Sequence, residues 1–420
     1  MNNQINSNSI YLFGYFNYHG IGTDINKQKA FELIQKAAEL ENNLAQLDLS
    51  SMYIHGKDVD KDYNIAFELS KKLAERENPN AMNRLGYCFE IGIGTDVNLQ
   101  MAFEMYQKAA NLGNIIAQCN LGLFYKNGKA VAQNNDKAFE LFKKSSEGGF
   151  SGGISMLGRC YYMGVGTSID KQKAFELYQK AANMGNYISQ YNLANMYLGC
   201  CYEYGFGTDI NMKKAFEFYK KASDLGNLHG MYNLGDCYEN GIGTDIDRKK
   251  AFKLYQKVAE LGYSHGIYYL GRCYKKGIGT DIDVQKAFKL YQKAADLGNS
   301  DGVNSLGCCY DDGIGTVVNK QKAFKLFQKA SDLGHLYGMN NLGCCYYNGI
   351  GTEINKKKAI ELYQKAANLG NRLAQYNLAN MYKRGNWIEK DINQAIHWYK
   401  KSAEQGYQLA QKKLKKLLKE

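Results

Sequence analysis

One unit of 36 residues, recurring along a chain of 420, constrains the fold more than any other feature of the sequence. Segments such as KAFELIQKAA, MAFEMYQKAA and KAFELYQKAA align so that an aromatic residue or Ile falls at 31, 67, 103, 139, 175, 216, 252, 288, 324, 360 and 396. Of the ten intervals, nine are 36 residues long and one is 41. A period of this length marks one supersecondary unit that cannot bury its apolar surface alone and stacks on its neighbours. Eleven copies fill the chain almost from end to end and leave no room for a second kind of domain.

Each unit divides into two helical patterns. In the first, helix A, Leu270, Cys273 and Tyr274 fall at i, i+3 and i+4 on one face. In the second, helix B, Ala287, Leu290, Tyr291, Ala294 and Ala295 repeat the spacing, flanked by Lys and Asp. The GIGTD stretch between them supplies glycines for backbone angles closed to other residues, and Gly298 follows helix B as a terminating glycine does. Pro79 is the sole proline against 44 glycines, so the turns are glycine turns. An Asn or Asp stands four residues before each helix B alanine, at 26, 62, 98, 134, 170, 211, 247, 283, 319, 355 and 391. These are expected N-caps, whose side-chain oxygen accepts a bond from an orphan backbone N–H.

The expected organisation is a single solenoid over 1–420. Repeats 1–5 cover about 9–188, an irregular repeat 6 with a five-residue insertion about 189–229, repeats 7–11 about 230–406, and a capping helix about 407–420. The cap matches helix A through Ala410 and Leu414 but places Lys415 where other copies carry Gly or Ala. At the insertion, Leu193 to Tyr197 and Leu198 to Tyr202 both satisfy the L-G-x-x-Y signature. Five residues advance a helix by about 500°, so both copies cannot face one core equally. An overlong or kinked helix near 190–204, dividing the solenoid into five-repeat and six-repeat segments, is expected there.

Composition removes several function classes. Charged or amide residues interrupt each hydrophobic run well short of the roughly 20 apolar residues a membrane span needs. MNNQINSNSIYLFGYF has no basic region followed by an apolar core, so a soluble, cytoplasmic protein is expected. The eleven cysteines form no C-x-x-C pair. Cys88, Cys160, Cys201, Cys237, Cys273, Cys309 and Cys345 share one repeat position and read as reduced core residues, with no metal. His19, His55, His229, His265, His335 and His397 have no acidic partner at a shared catalytic spacing and read as surface or loop residues. G-x-G-T-D lacks the preceding strand and the G-K-[ST] of a phosphate loop. No nucleophile and base pair stands out, so no enzyme and no cofactor is expected. The formal charge of +12 admits a binder of nucleic acid or an anionic surface, but the lysines interleave with Asp and Glu on helix B as on a solvated face. The one concentration is Lys412, Lys413, Lys415, Lys416 and Lys419, in the cap.

The stretch A-x-x-x-L-G-x-x-Y-x-x-G-x-G, followed by D-x-x-K-A-x-x-x-Y-x-x-A-A, resembles the SEL-1-like repeat, a relative of the tetratricopeptide repeat, over essentially the whole chain. Repeat 1 departs at Phe13 and Asn17 and repeat 4 in its GKAVAQNN loop, and these two hairpins are expected to be the least regular. The resemblance implies an all-α, right-handed superhelical solenoid of about eleven helix-turn-helix repeats with a capping helix. It also implies an adaptor. Proteins of this kind serve as signalling scaffolds, as parts of degradation machinery and as bacterial factors that engage host proteins. Disulfides link the helices of some bacterial relatives, but helix B here has no cysteine.

By similarity to tetratricopeptide hairpins, the third, seventh and tenth residues of helix A, counted here and below from the Ala or Gly that opens its pattern, should line a concave groove. Those places include Asn83, Tyr87 and Glu90; Ser155, Arg159 and Tyr162; Tyr232, Asp236 and Glu239; Tyr268, Arg272 and Lys275; Asn304, Cys308 and Asp311; Asn340, Cys344 and Tyr347; and Tyr376, Asn380 and Lys383. Tyr, Arg and Asn on a rigid surface suit an extended peptide or a helix. The reading is therefore a protein-interaction scaffold, with the basic-face binder as the alternative.

Overall fold

The computed structural model describes residues 2–56, 58–203, 209–385 and 387–418. Among them every regular element is a helix, and the chain divides into two units, Met1–Met196 and Tyr197–Glu420. The first unit holds α1 Asn2–His19, α2 Lys27–Glu39, α3 Asn43–His55, α4 Tyr63–Ala74, α5 Pro79–Ile91, α6 Leu99–Asn111, α7 Ile115–Asn127, α8 Asn135–Glu147, α9 Ser151–Met163 and α10 Lys171–Asn183. The division falls inside α11, Tyr187–Glu203. The second unit continues with α12 Asp209–Asp224, α13 Leu228–Asn240, α14 Arg248–Glu260, α15 Ser264–Lys276, α16 Val284–Asp296, α17 Ser300–Asp312, α18 Lys320–Asp332, α19 Leu336–Asn348, α20 Lys356–Asn368, α21 Arg372–Arg384, α22 Ile392–Glu404 and α23 Gln408–Leu417. Odd numbers are helices A and even numbers helices B. Within each unit, helices adjacent in sequence pack on one another, as an all-α solenoid requires.

Helix B starts where its cap is. The side chains of Asn26, Asp62, Asn98, Asn134, Asp170, Asp247, Asp283, Asn319, Asn355 and Asp391 each accept from the backbone N–H three residues on. The side chain of the eleventh expected cap, Asn211, lies outside the described residues. Helix A has caps that the repeat pattern did not reveal. Asn42, Asn78, Asn114, Asn227, Asn299 and Asn371 cap it, and His335 does so through its ring nitrogen.

Inside one hairpin the fully buried Tyr255 ring lies against Gly235, where an added Cβ would come within 2.7 Å of it. Gly86 faces Tyr106 and Gly343 faces Tyr363 in the same way, so the sixth residue of helix A is small because the helix B tyrosine crosses over it. Between hairpins, Phe252 of helix B meets Tyr274 of the next helix A edge-on, with centroids 5.6 Å apart. Phe288 with Tyr310 and Phe324 with Tyr346 repeat the contact at 5.4 and 5.3 Å. The second loop glycine joins repeats as well: a Cβ on Gly279 would stand 2.0 Å from the Arg248 carbonyl oxygen of the preceding helix B.

The irregular repeats divide. In α1, Asn17 is buried and donates to the Phe13 carbonyl at 2.7 Å while the Phe13 ring is exposed, so repeat 1 does depart. Repeat 4 does not: α8 has the same 13 residues and the same cap as other helices B. Its loop keeps the glycine turn's shape by holding Ala130 at φ 55°, as Asp58 and Trp387 do at φ 60° and 67° in theirs. Around the insertion, α11 runs 17 residues where most helices A run 13. Tyr204, and the side chains of 199–203 including Cys201, lie outside the described residues.

Candidate functional site

The third residues of helix A take part in packing between and within repeats, which leaves them less open than expected. Asn83 accepts from Asn120 Nδ2, Asn304 from Asn341 and Asn340 from Asn377, each at 3.0 Å, so an amide bond ties one helix A to the next. Asn340 is 3% exposed and Ser155 is also buried. Tyr232 stacks on Tyr269 at 5.7 Å and Tyr376 meets Tyr407 edge-on at 5.2 Å, both across repeats, while Tyr268 tilts against Tyr291 of its own hairpin at 5.9 Å. For the asparagines the geometric reason is that this position looks along the stack towards the following helix A.

The seventh and tenth residues remain more open. Tyr87 and Tyr162 are each 40% exposed, and Arg159 is exposed. Glu90, Asp236, Arg272, Tyr347 and Asn380 are half-buried. A contribution that the sequence reading missed comes from beneath. Tyrosines counted as helix B core send their hydroxyls through to this surface: Tyr106 donates to Glu90 at 2.9 Å, Tyr255 to Glu239 at 3.1 Å, Tyr399 to Asn380 at 2.7 Å and Tyr363 to Cys344 Sγ at 3.2 Å. Burial pushes the Tyr106, Tyr255 and Tyr363 hydroxyls above the ordinary tyrosine range, so they act as neutral donors. The one-letter pattern shows an amphipathic tyrosine but not which end reaches the surface.

Arg272 is less available than its position implied. Its guanidinium pairs with Glu239 and lies 4.7 Å from the centroid of the Tyr269 ring. Burial depresses its pKa, and Glu239 with the surrounding tyrosines outweighs that, leaving it raised. Beside it, burial and then the Glu239 charge raise the pKa of Asp236, which accepts from Asn240 Nδ2 at 2.8 Å. His335, read from sequence as a surface residue, is a structural link. Its Nδ1 accepts from the Gly338 N–H at 2.9 Å, so Nε2 carries the proton facing Asp301 Oδ1 at 3.2 Å. That bond holds the Asp301 carboxyl below its usual range. The cysteines at the shared position are buried in each described copy, and burial pushes the Cys237 and Cys273 thiols up to about 12, which makes them poor nucleophiles.

At the carboxy-terminal end of the second unit these surfaces enclose a cavity of about 270 Å³. Cys344, Tyr347, Tyr376 and Asn380, four of the expected groove residues, line it together with Arg384 and Lys413. Among the described residues, no helix is long and apolar enough to cross a membrane.

The Sel1 repeat family matches eleven times in succession, at 7–42, 43–78, 79–114, 115–150, 153–186, 188–227, 228–263, 264–299, 300–335, 336–371 and 372–407. A protective antigen present in uropathogenic Escherichia coli strains, displaying an SLR fold, is 33% identical over 91% of this chain and 81% of its own, with a TM-score of 0.56. A Sel1 repeat protein from Oxalobacter formigenes is 26% identical over 75% of this chain and 90% of its own, with a TM-score of 0.49. Cysteine rich protein B of Helicobacter pylori is 34% identical over 31% of this chain and 93% of its own, with a TM-score of 0.25. No curated protein matches the chain by sequence. Eleven consecutive repeat matches, and a structural relative at 33% identity along nine-tenths of the length, establish that the chain belongs to the Sel1 repeat family.

Proposed function

We propose that this protein is a non-catalytic adaptor of the cytoplasm, acting in signalling or complex assembly, which holds a peptide or protein partner on the seventh and tenth residues of its helices A. Sel1 repeat proteins are generally protein-interaction scaffolds. The observation that carries the finer reading is the division of labour along helix A. Third residues are spent on stacking, whereas Tyr87, Arg159 and Tyr162 stay exposed on the same helices. Stacking does not need their side chains, so their chemistry is free to vary from repeat to repeat. Tyr and Arg are also the residues most enriched where interfaces gain their energy.

The test is capture from a lysate of the source cells at two salt concentrations. Wild type is compared with a variant carrying Tyr87→Ala, Arg159→Glu and Tyr162→Ala, and folding is checked by circular dichroism. Arg272 is left intact, because its pairing with Glu239 makes it part of the scaffold. A protein that wild type retains at the higher salt and the variant loses supports the adaptor. Nucleic acid retained by both and released by salt contradicts it and favours the basic outer faces.

A further inference from the structure

The cavity between α19, α21 and α23 differs from the rest of the second unit's helix A surface in its charge. Its ten lining residues include two cations, Arg384 and Lys413, and no carboxylate. Elsewhere along these helices three acids meet a base: Glu239 with Arg272, Asp301 with His335, Asp311 with Lys320. Among the described residues neither Arg384 nor Lys413 has an ion-pair partner, and both side chains are exposed. The amides of the cavity are already engaged. Asn377 donates to Asn340, and Asn380 donates to the Tyr376 carbonyl at 3.0 Å while accepting from Tyr399. The charge that meets a ligand there is positive, set between Tyr347 and Tyr376.

Lys413 owes its place to the repeat register. It occupies the fourth position of α23, counted from Ala410. In the two preceding helices A that position holds Asn341 and Asn377, which donate back to the third residue of the previous copy. At the end of the array the third residue is Tyr376, packed edge-on against Tyr407, and the donor in the following helix is an ammonium rather than an amide. The stacking bond is replaced by a cation that lines the cavity. At about 270 Å³ the space falls just short of the roughly 300–1,000 Å³ of small-molecule sites and suits a side chain.

We infer that this cavity is an anchoring site for an acidic side chain, Asp or Glu, of an extended peptide partner, received between Arg384 and Lys413. The inference rests on the adaptor reading and names the chemistry of one of its subsites. It sets Lys413 apart within the lysine cluster of α23: Lys413 faces the ligand, while Lys412, Lys415 and Lys416 lie outside the cavity's lining.

The experiment uses the full-length chain as bait for a random dodecapeptide phage library, in which the displayed peptides have no free carboxyl terminus. Winning sequences are resynthesised, and affinities are compared for wild type, Arg384→Gln, Lys413→Gln, and Lys416→Gln as a control on the same helix. Winners containing Asp or Glu are expected. Replacing that residue by its amide, or making either cavity substitution, should weaken binding about tenfold, the size of one charge-assisted hydrogen bond. Lys416→Gln should leave binding unchanged. Winners without acidic residues, or acidic winners that bind the Arg384→Gln and Lys413→Gln variants as tightly as wild type, overturn the inference. If such winners are nonetheless lost on the Tyr87, Arg159 and Tyr162 variant, the adaptor reading stands alone. A library that yields no winner on wild type overturns both.

Discussion

Gly22 and Gly94 share a φ of +66° and the same place in their loops, yet their surroundings differ. An added Cβ on Gly22 meets nothing within 4 Å, whereas on Gly94 it would lie 2.3 Å from the Tyr63 carbonyl oxygen of the preceding helix B. Ala at either position carries the left-handed backbone cost of about 1–2 kcal/mol. At Gly94 it must also push repeats apart, for a total of roughly 2–5 kcal/mol. Chemical denaturation of Gly22→Ala and Gly94→Ala compares the two; equal losses would show that the close approach does not matter. Asp236 offers a test by pH. Because its carboxyl is raised above the ordinary 3.8, folding favours the protonated form, and the ionised form costs stability at pH values above the folded pKa. Asp236→Asn should therefore melt higher than wild type at pH 7, and the difference should shrink to nothing as pH falls below the unfolded carboxylate range. A lower melting temperature at pH 7 would mean that the charge is compensated.

The helix caps show how far a sequence pattern reaches. Asn319 accepts from the Lys322 N–H at 2.9 Å, and Asn319→Ala should cost about 1 kcal/mol, read as faster amide exchange in the first turn of α18. Unchanged exchange there would contradict the capping role. Helix B caps were legible because Asn or Asp recurs at one offset and performs one local task. Helix A caps were not, since Asn, His335, Phe150 and Tyr263 alternate there, and Phe150 and Tyr263 make no side-chain cap bond. The same limit explains the site. Position along helix A could be counted from sequence, but Asn340 is buried by Asn377, a residue 37 places on, and Tyr255 reaches Glu239 across the hairpin. Contacts set by stacking geometry leave no local mark in the pattern.

For the molecule, the repeat logic makes scaffold and recognition separable. Glycine turns, caps, edge-on Phe–Tyr pairs and third-position amides build each unit, and the seventh and tenth residues of helix A are left over to carry specificity. The most direct test of that claim is hydroxyl-radical footprinting of the full chain, free and bound to the partner captured from lysate. Tyr87 and Tyr162, each 40% exposed on helices A, should lose reactivity on binding, while Tyr63, 43% exposed at the start of a helix B, should not. Protection of Tyr63 with Tyr87 and Tyr162 unchanged would place the partner on helices B and contradict the account.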